Sequence, residues 1–195
     1  PGDRLVETRI AQDLGTSQAP VREALRDLEL LRLVESEPFR GSRVRVLDEQ
    51  ELFDVYPVRA SLEELAARLA APRLEGKVAG LEAEVEAMRA AARRADTNAL
   101  AEHNIAFHRL IVEAAGNAVL EQCWTSLGVE SPITISLYGP ALELAEVAER
   151  HVPIVEAIRS GNAPASGREA RRHVEESARL ARAGLEEAEI GRAHV

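Results

Sequence analysis

Three of the five histidines stand where helical spacing turns them toward apolar neighbours. His108 shares intervals of three and four with Leu100, Asn104, Phe107, Ile111 and Ala115, which puts all six on one helix face. His151 stands likewise among Leu144, Val147, Ile154, Val155 and Ile158, and His173 among Ala170, Val174, Ser177 and Ala181. A buried imidazole needs a partner for each ring nitrogen. Two arrangements meet that need: hydrogen bonds within a helical core, or a metal ion shared by imidazoles that converge. Asn104, one turn before His108, adds an amide oxygen to the same stripe. His103 falls off the stripe and is expected in solvent. An open coordination position on such an ion could activate water, so a metal-dependent hydrolase is the alternative function. No stripe carries an Asp or Glu as an obvious general base, which counts against it.

A second group of residues could read a polyanion. Ser17 is a good N-cap and Pro20 sits in the first turn of the helix that follows, where its missing N–H is harmless. Gln18 and Arg22 lie one turn apart on one face, and Arg26 continues it. Arg suits guanine and Gln suits adenine in the major groove. Arg40 and Arg43 flank the tip of a turn that contains Gly41, within reach of backbone phosphates. The alternative is a solvated helix whose arginines pair with Glu23, Asp27 and Glu29.

Composition frames these groups. The chain has 195 residues, 46% hydrophobic and 29% charged, the balance of a globular protein. Its net charge is −9, distributed unevenly. Residues 1–47 hold eight Arg against eight acidic residues, and the remainder holds 16 basic and 25 acidic. The first part is therefore neutral, and any phosphate binding needs its arginines gathered on one face. No apolar run approaches the roughly 20 residues of a membrane span, and no secretory signal opens the chain. The single cysteine, Cys123, excludes an internal disulfide and a Cys-based zinc site; it is expected to be a small buried residue. A cytoplasmic location follows as the expectation.

The elements that must position these residues fall into two parts. Residues 1–47 read as helix (Glu7–Leu14), a turn at Gly15-Thr16, a second helix carrying Val21, Leu25 and Leu28, then short strands at Leu33-Val34 and Val44–Val46 around a wing. From Asp48 onward Ala, Leu, Glu and Arg dominate. Helices are expected from Leu52 to a stop at Pro72, around Val78–Met88, from an Asp96 N-cap to Ala115, over Val119–Tyr138, over Glu143–Arg159 and over Arg168–Glu187. The fold class is mainly α: an N-terminal winged helix-turn-helix lacking its first helix, plus a C-terminal antiparallel all-α bundle of about six helices. The domains are 1–47 and 48–188. Residues 189–195 break the apolar pattern, read as a translated sequencing adapter, and are expected not to be native.

The run Gly15-Thr-Ser-Gln-Ala-Pro-Val-Arg-Glu-Ala-Leu-Arg-Asp-Leu-Glu29, with the wing glycine Gly41, resembles the recognition segment of the GntR superfamily of bacterial regulators. The helical remainder resembles the FCD effector domain of its FadR-like branch. That likeness rests on Val58–Glu63, Asn104–His108, Ala115–Asn117, His151, Ala157-Ile158, Gly161-Asn162 and His173. The resemblance implies a transcription regulator, in all expectation a repressor and a homodimer that presents two recognition helices to a palindromic operator in double-stranded DNA. It implies a divalent metal ion (zinc, nickel or manganese) on Asn104, His108, His151 and His173, and a small carboxylate effector beside it. Arg59 is a candidate second anchor for that carboxylate, or equally a structural partner of Glu63 at i,i+4. Gln18, Thr8 and Asn104 depart from the family, which often has basic residues at the first two positions and Asp at the third. Pro153, just after His151, fits only if a helix starts near Arg150.

Overall fold

The computed structural model describes residues 2–30, 33–37, 41–45, 49–128 and 143–193. In the first segment α1 (Glu7–Asp13) and α2 (Gln18–Leu30) meet at a turn where Gly15 takes φ +64°, a conformation that costs a residue without a side chain nothing. Val21 and Leu25 of α2 are buried against Ala11 of α1 and Val34, with Leu5, Ile10 and Leu28 around them. The sheet has three antiparallel strands, β1 (Arg4–Leu5), β2 (Val34–Glu37) and β3 (Gly41–Val44), in the order β1-β3-β2. Val34 pairs with Val44, Glu37 with Gly41, and Arg4 with Arg43. β3 lies earlier than the expected Val44–Val46 strand, and β1 was not expected, because two residues carry no alternation to detect. The expected wing residue Arg40 lies outside the described residues.

The helical part is α3 (Glu49–Leu74), α4 (Ala79–Arg93), α5 (Thr97–Ala114), α6 (Ala118–Ser126), α7 (Leu144–Glu149), α8 (Val152–Arg159) and α9 (Ala163–Ala193). Several boundaries differ from expectation. Pro72 does not stop α3, which contains both Pro57 and Pro72. Proline removes one donor but its φ is helical, so a helix supported by packing carries it. The expected Glu143–Arg159 helix is two helices broken at Arg150-His151, which puts Pro153 in the first turn of α8. That break makes seven helices among the described residues where about six were expected. α9 begins at Ala163 because the Asn162 side chain accepts from the Ala165 N–H at 3.0 Å, an N-cap the sequence reading took for a loop. Of the expected Val119–Tyr138 helix, α6 covers the start; residues 129–142 lie outside the described residues. The Asp96 cap is as expected, accepting from Ala99 N–H at 3.0 Å.

α9 lies along α3. Gly167 meets Arg68, Arg171 bonds Glu64 at 2.5 Å, and Arg182 sits 4.2 Å above the Phe53 ring, so the two helices run antiparallel. Gly167 permits their approach: a Cβ there would come within 2.5 Å of Arg68 Cγ. Ala66, Ala67 and Ala70 present a flat, fully buried face of α3 to a core built from Met88, Leu100, Phe107, Trp124, Ile154 and Ile158. Small residues on the central helix let the others close around it, and their histidines come with them.

Candidate functional site

His108 projects from α5, His151 from the turn before α8, and His173 from α9, and all three are buried. Their rings cluster, with centroids 5.3 Å apart for His108–His151, 5.2 Å for His108–His173 and 4.3 Å for His151–His173. A ring nitrogen of each lies within 4.8 Å of the others. Asn104 is buried one turn before His108, with its Oδ1 3.3 Å from His151 Nε2. The four residues expected together are therefore together.

The fixed partners decide the tautomers. His151 Nδ1 lies 2.8 Å from the Val147 carbonyl, which can only accept, so Nδ1 carries the proton and Nε2 the lone pair. That lone pair faces the Asn104 amide oxygen, acceptor against acceptor. Turning the amide over relieves the conflict, and so does a cation between the two. His108 Nδ1 lies 2.8 Å from Glu63 Oε2 and donates to it, which leaves His108 Nε2 unprotonated. His108 Nε2 and His173 Nδ1 are sealed from solvent without a hydrogen-bond partner among the described residues.

Glu63 is the residue that sequence reasoning missed. Its carboxylate accepts from Arg59 Nε at 2.6 Å and Trp124 Nε1 at 3.0 Å, besides His108. Burial pushes its pKa up, but the Arg59 charge, the adjoining His108 imidazole and the hydrogen bonds from both outweigh that and hold it well below the usual carboxylate range. An acid does stand at the histidines, then, although it lies on α3 and off their stripes. With three donors on it, it cannot serve as a free base. The signal was available in the Arg59/Glu63 spacing, which the sequence reading used only for Arg59. That residue is 2% exposed and engaged in this ion pair, the structural one of its two expected roles.

Burial pushes all three imidazoles toward the neutral form: it is the largest influence on His108, and on His151 and His173 it is reinforced by their neighbours. Folded pKa values below the ordinary 6.5 mean that unfolding takes up protons. In metal-free protein this contribution is complete above about 6.5 and is lost as pH falls through the lowered folded values. The Glu63 contribution lies in a lower window, below its ordinary 4.5. Thermal melting in a chelator should therefore give a lower Tm at about pH 5.5 than at about pH 7.5. A flat profile across that interval would contradict the neutral, buried imidazoles.

At the other end, Ser17 precedes α2, and Gln18, Pro20, Arg22 and Arg26 are exposed on it, as are Gly41 and Arg43 on β3. Arg22 is held by Glu7 of α1, at 2.8 Å from Nη2 and 3.1 Å from Nε, rather than by the acids of its own helix. Cys123 is exposed, contrary to expectation, although Leu120 and Trp124 on the same helix are buried. His103 is half-buried and bonds Glu84 at 2.8 Å.

A winged helix-turn-helix with an exposed polar recognition face, joined in one chain to a helical bundle around buried histidines, defines a DNA-binding regulator with a second domain of its own. Known proteins agree. The family described as bacterial regulatory proteins, gntR family, matches residues 1–44, and the FCD domain matches residues 54–176. The chain belongs to the GntR family, and its bundle is an FCD domain. It is 40% identical over 156 residues to the "Probable D-xylose utilization operon transcriptional repressor" of Paenarthrobacter nicotinovorans, covering 80% of this chain and 69% of that one. It is 28% identical over 166 residues to the gluconate operon transcriptional repressor of Bacillus subtilis, covering 82% and 68%. The solved structure of Escherichia coli McbR/YncC superposes with a TM-score of 0.82 at 22% identity, over 95% of this chain and 89% of that one, which shows the shared fold. The family and these relatives are DNA-binding transcription regulators and not enzymes, so the hydrolase alternative is set aside.

Proposed function

We propose that this chain is a ligand-responsive repressor whose bundle senses a small carboxylate through a divalent cation held by Asn104, His108, His151 and His173. The observation that carries the reading is the convergence of three buried imidazoles whose free nitrogens include two with no partner among the described residues. The donor set fits zinc, nickel or manganese: nitrogen ligands with an amide oxygen, and positioned acceptors (Glu63 for His108, the Val147 carbonyl for His151) of the kind that orient metal-bound histidines. The four side chains bring no negative charge, and Glu63 is balanced by Arg59. The cation would supply unopposed positive charge, which favours an anionic ligand at an open position.

Residues 1–47 form the DNA reader and 48–188 the sensor in this reading, and the protein acts in the cytoplasm as a homodimer on a palindromic operator. No helix among the described residues is long and apolar enough to cross a membrane. Ser17, Gln18, Pro20, Arg22 and Arg26 face the major groove, and Arg40, Gly41 and Arg43 bring the wing to the backbone. On DNA, Arg22 exchanges Glu7 for a base edge or phosphate.

Selection of bound duplexes from a random pool is the test. Wild-type protein should enrich a palindrome, and Arg22→Ala should weaken binding by about 1–3 kcal/mol while relaxing one position of each half-site. Glu7→Gln, which frees Arg22, should bind at least as well as wild type. Failure of the wild type to enrich any symmetric site, or an Arg22→Ala protein that binds unchanged, would sink the operator reading.

A further inference from the structure

Arg150 closes α7 at the same turn that presents His151. Its side chain is half-buried, and its Nε is sealed from solvent with no hydrogen-bond partner among the described residues. An unpaired guanidinium N–H inside a protein is unfavourable, so an acceptor brought from outside the chain would be favoured there. Arg59 differs in this respect, since its Nε already donates to Glu63.

We propose that Arg150, rather than Arg59, is the anion anchor of the histidine site, and that it selects effectors with two anionic groups, one for the cation and one for the guanidinium. The proposal rests on the cation reading above. Its location supports it: Arg150 is the C-cap of α7 and directly precedes His151, the N-cap of α8, so the chain itself holds it beside the cluster. The acids that face it electrostatically are Glu146 and Glu176, and neither provides the missing acceptor for Nε. Charge balance points the same way. Glu63 is the one buried acid among the described residues, and Arg59 already neutralises it. A ligand with a single carboxylate answers the cation and leaves the buried Nε unpaired. A second anionic group, a planar carboxylate above all, gives the guanidinium the geometry it binds best.

The experiment titrates the purified full chain, with metal content measured beforehand, against acetate, malonate, succinate and glutarate by calorimetry. Wild type should bind at least one dicarboxylate roughly tenfold or more tightly than acetate. Arg150→Gln should shrink that preference to about threefold or less, with acetate affinity and metal content unchanged. Arg150→Lys keeps the charge without the fork and should retain part of the preference, which guards against a Gln variant that fails to fold. A wild type without dicarboxylate preference, or an Arg150→Gln protein that keeps it, overturns the proposal. A wild-type chain holding no divalent ion after loading overturns the cation reading itself, and the metal assay registers that before any ligand is added.

Discussion

Alanine at both His108 and His173 should empty the metal site. Protein purified without chelator is expected to carry about one divalent ion per chain, and the double variant only background, because Asn104 and His151 alone fall short of the three or four ligands such ions take. Loss of an orienting group one shell out typically costs about 10–100-fold in metal affinity, and direct ligands cost more. The two proteins should also part in thermal stability. A ligand that binds only the folded state stabilises it by about 2.7 kcal/mol at a hundred times its Kd, so added zinc, nickel or manganese should raise the wild-type Tm and leave the variant unmoved. Without metal the comparison changes character. The imidazoles removed are buried, and neither His108 Nε2 nor His173 Nδ1 has a partner among the described residues, so the variant loses packing but also loses groups that resist protonation. Its Tm should consequently depend less on pH between about 7.5 and 5.5 than that of the chelated wild type. A wild type that neither carries nor takes up any of the three ions would refute the site.

The largest loss of stability should come from splitting the buried pair. Arg59→Ala leaves the buried Glu63 carboxylate without its countercharge, and Glu63→Ala leaves the Arg59 guanidinium without its own. Removing one partner of such a pair costs about 3–5 kcal/mol, which for a chain of this size lowers Tm by roughly 6–20 °C. Replacing both, as Arg59→Met with Glu63→Leu, should cost far less, because a buried pair exchanged for apolar groups of similar volume is often nearly neutral. Metal affinity separates the two roles of the pair. The double replacement keeps the fold but takes away the acceptor that sets the His108 tautomer, so affinity should still drop about 10–100-fold. Trp124 is the sole tryptophan and donates to the same carboxylate, so its fluorescence reports on Glu63 directly. Its emission should respond to metal in the wild type and not in the double replacement. Unchanged metal affinity in the double replacement would show that Glu63 serves folding alone.

Much of this arrangement was legible before any coordinates. The periods of three and four placed His108, His151 and His173 on buried faces, the turn residues at Gly15 and the Asp96 cap marked helix ends, and the motif order pointed to the family. These features are local: each depends on residues within one or two helical turns, where spacing alone determines the face. Pro153 was informative for the same reason, since the first turn of a helix is where a residue without an N–H costs nothing, and α8 does begin there.

Spacing along each helix, then, sets which faces turn inward and what chemistry they carry. Which faces meet is set by how the helices pack. Glu63 reaches His108 from a residue forty-five positions away because Ala66, Ala67 and Ala70 let the other helices close on α3. No period along one helix encodes a contact with another. Likewise Arg59 and Arg150 look alike as letters. Their difference, one guanidinium paired and the other with a buried N–H left over, arises from what the surrounding helices bring within hydrogen-bond reach. Cys123, exposed on α6, shows the converse: a residue small and apolar enough for the core whose burial was settled by packing and not by type.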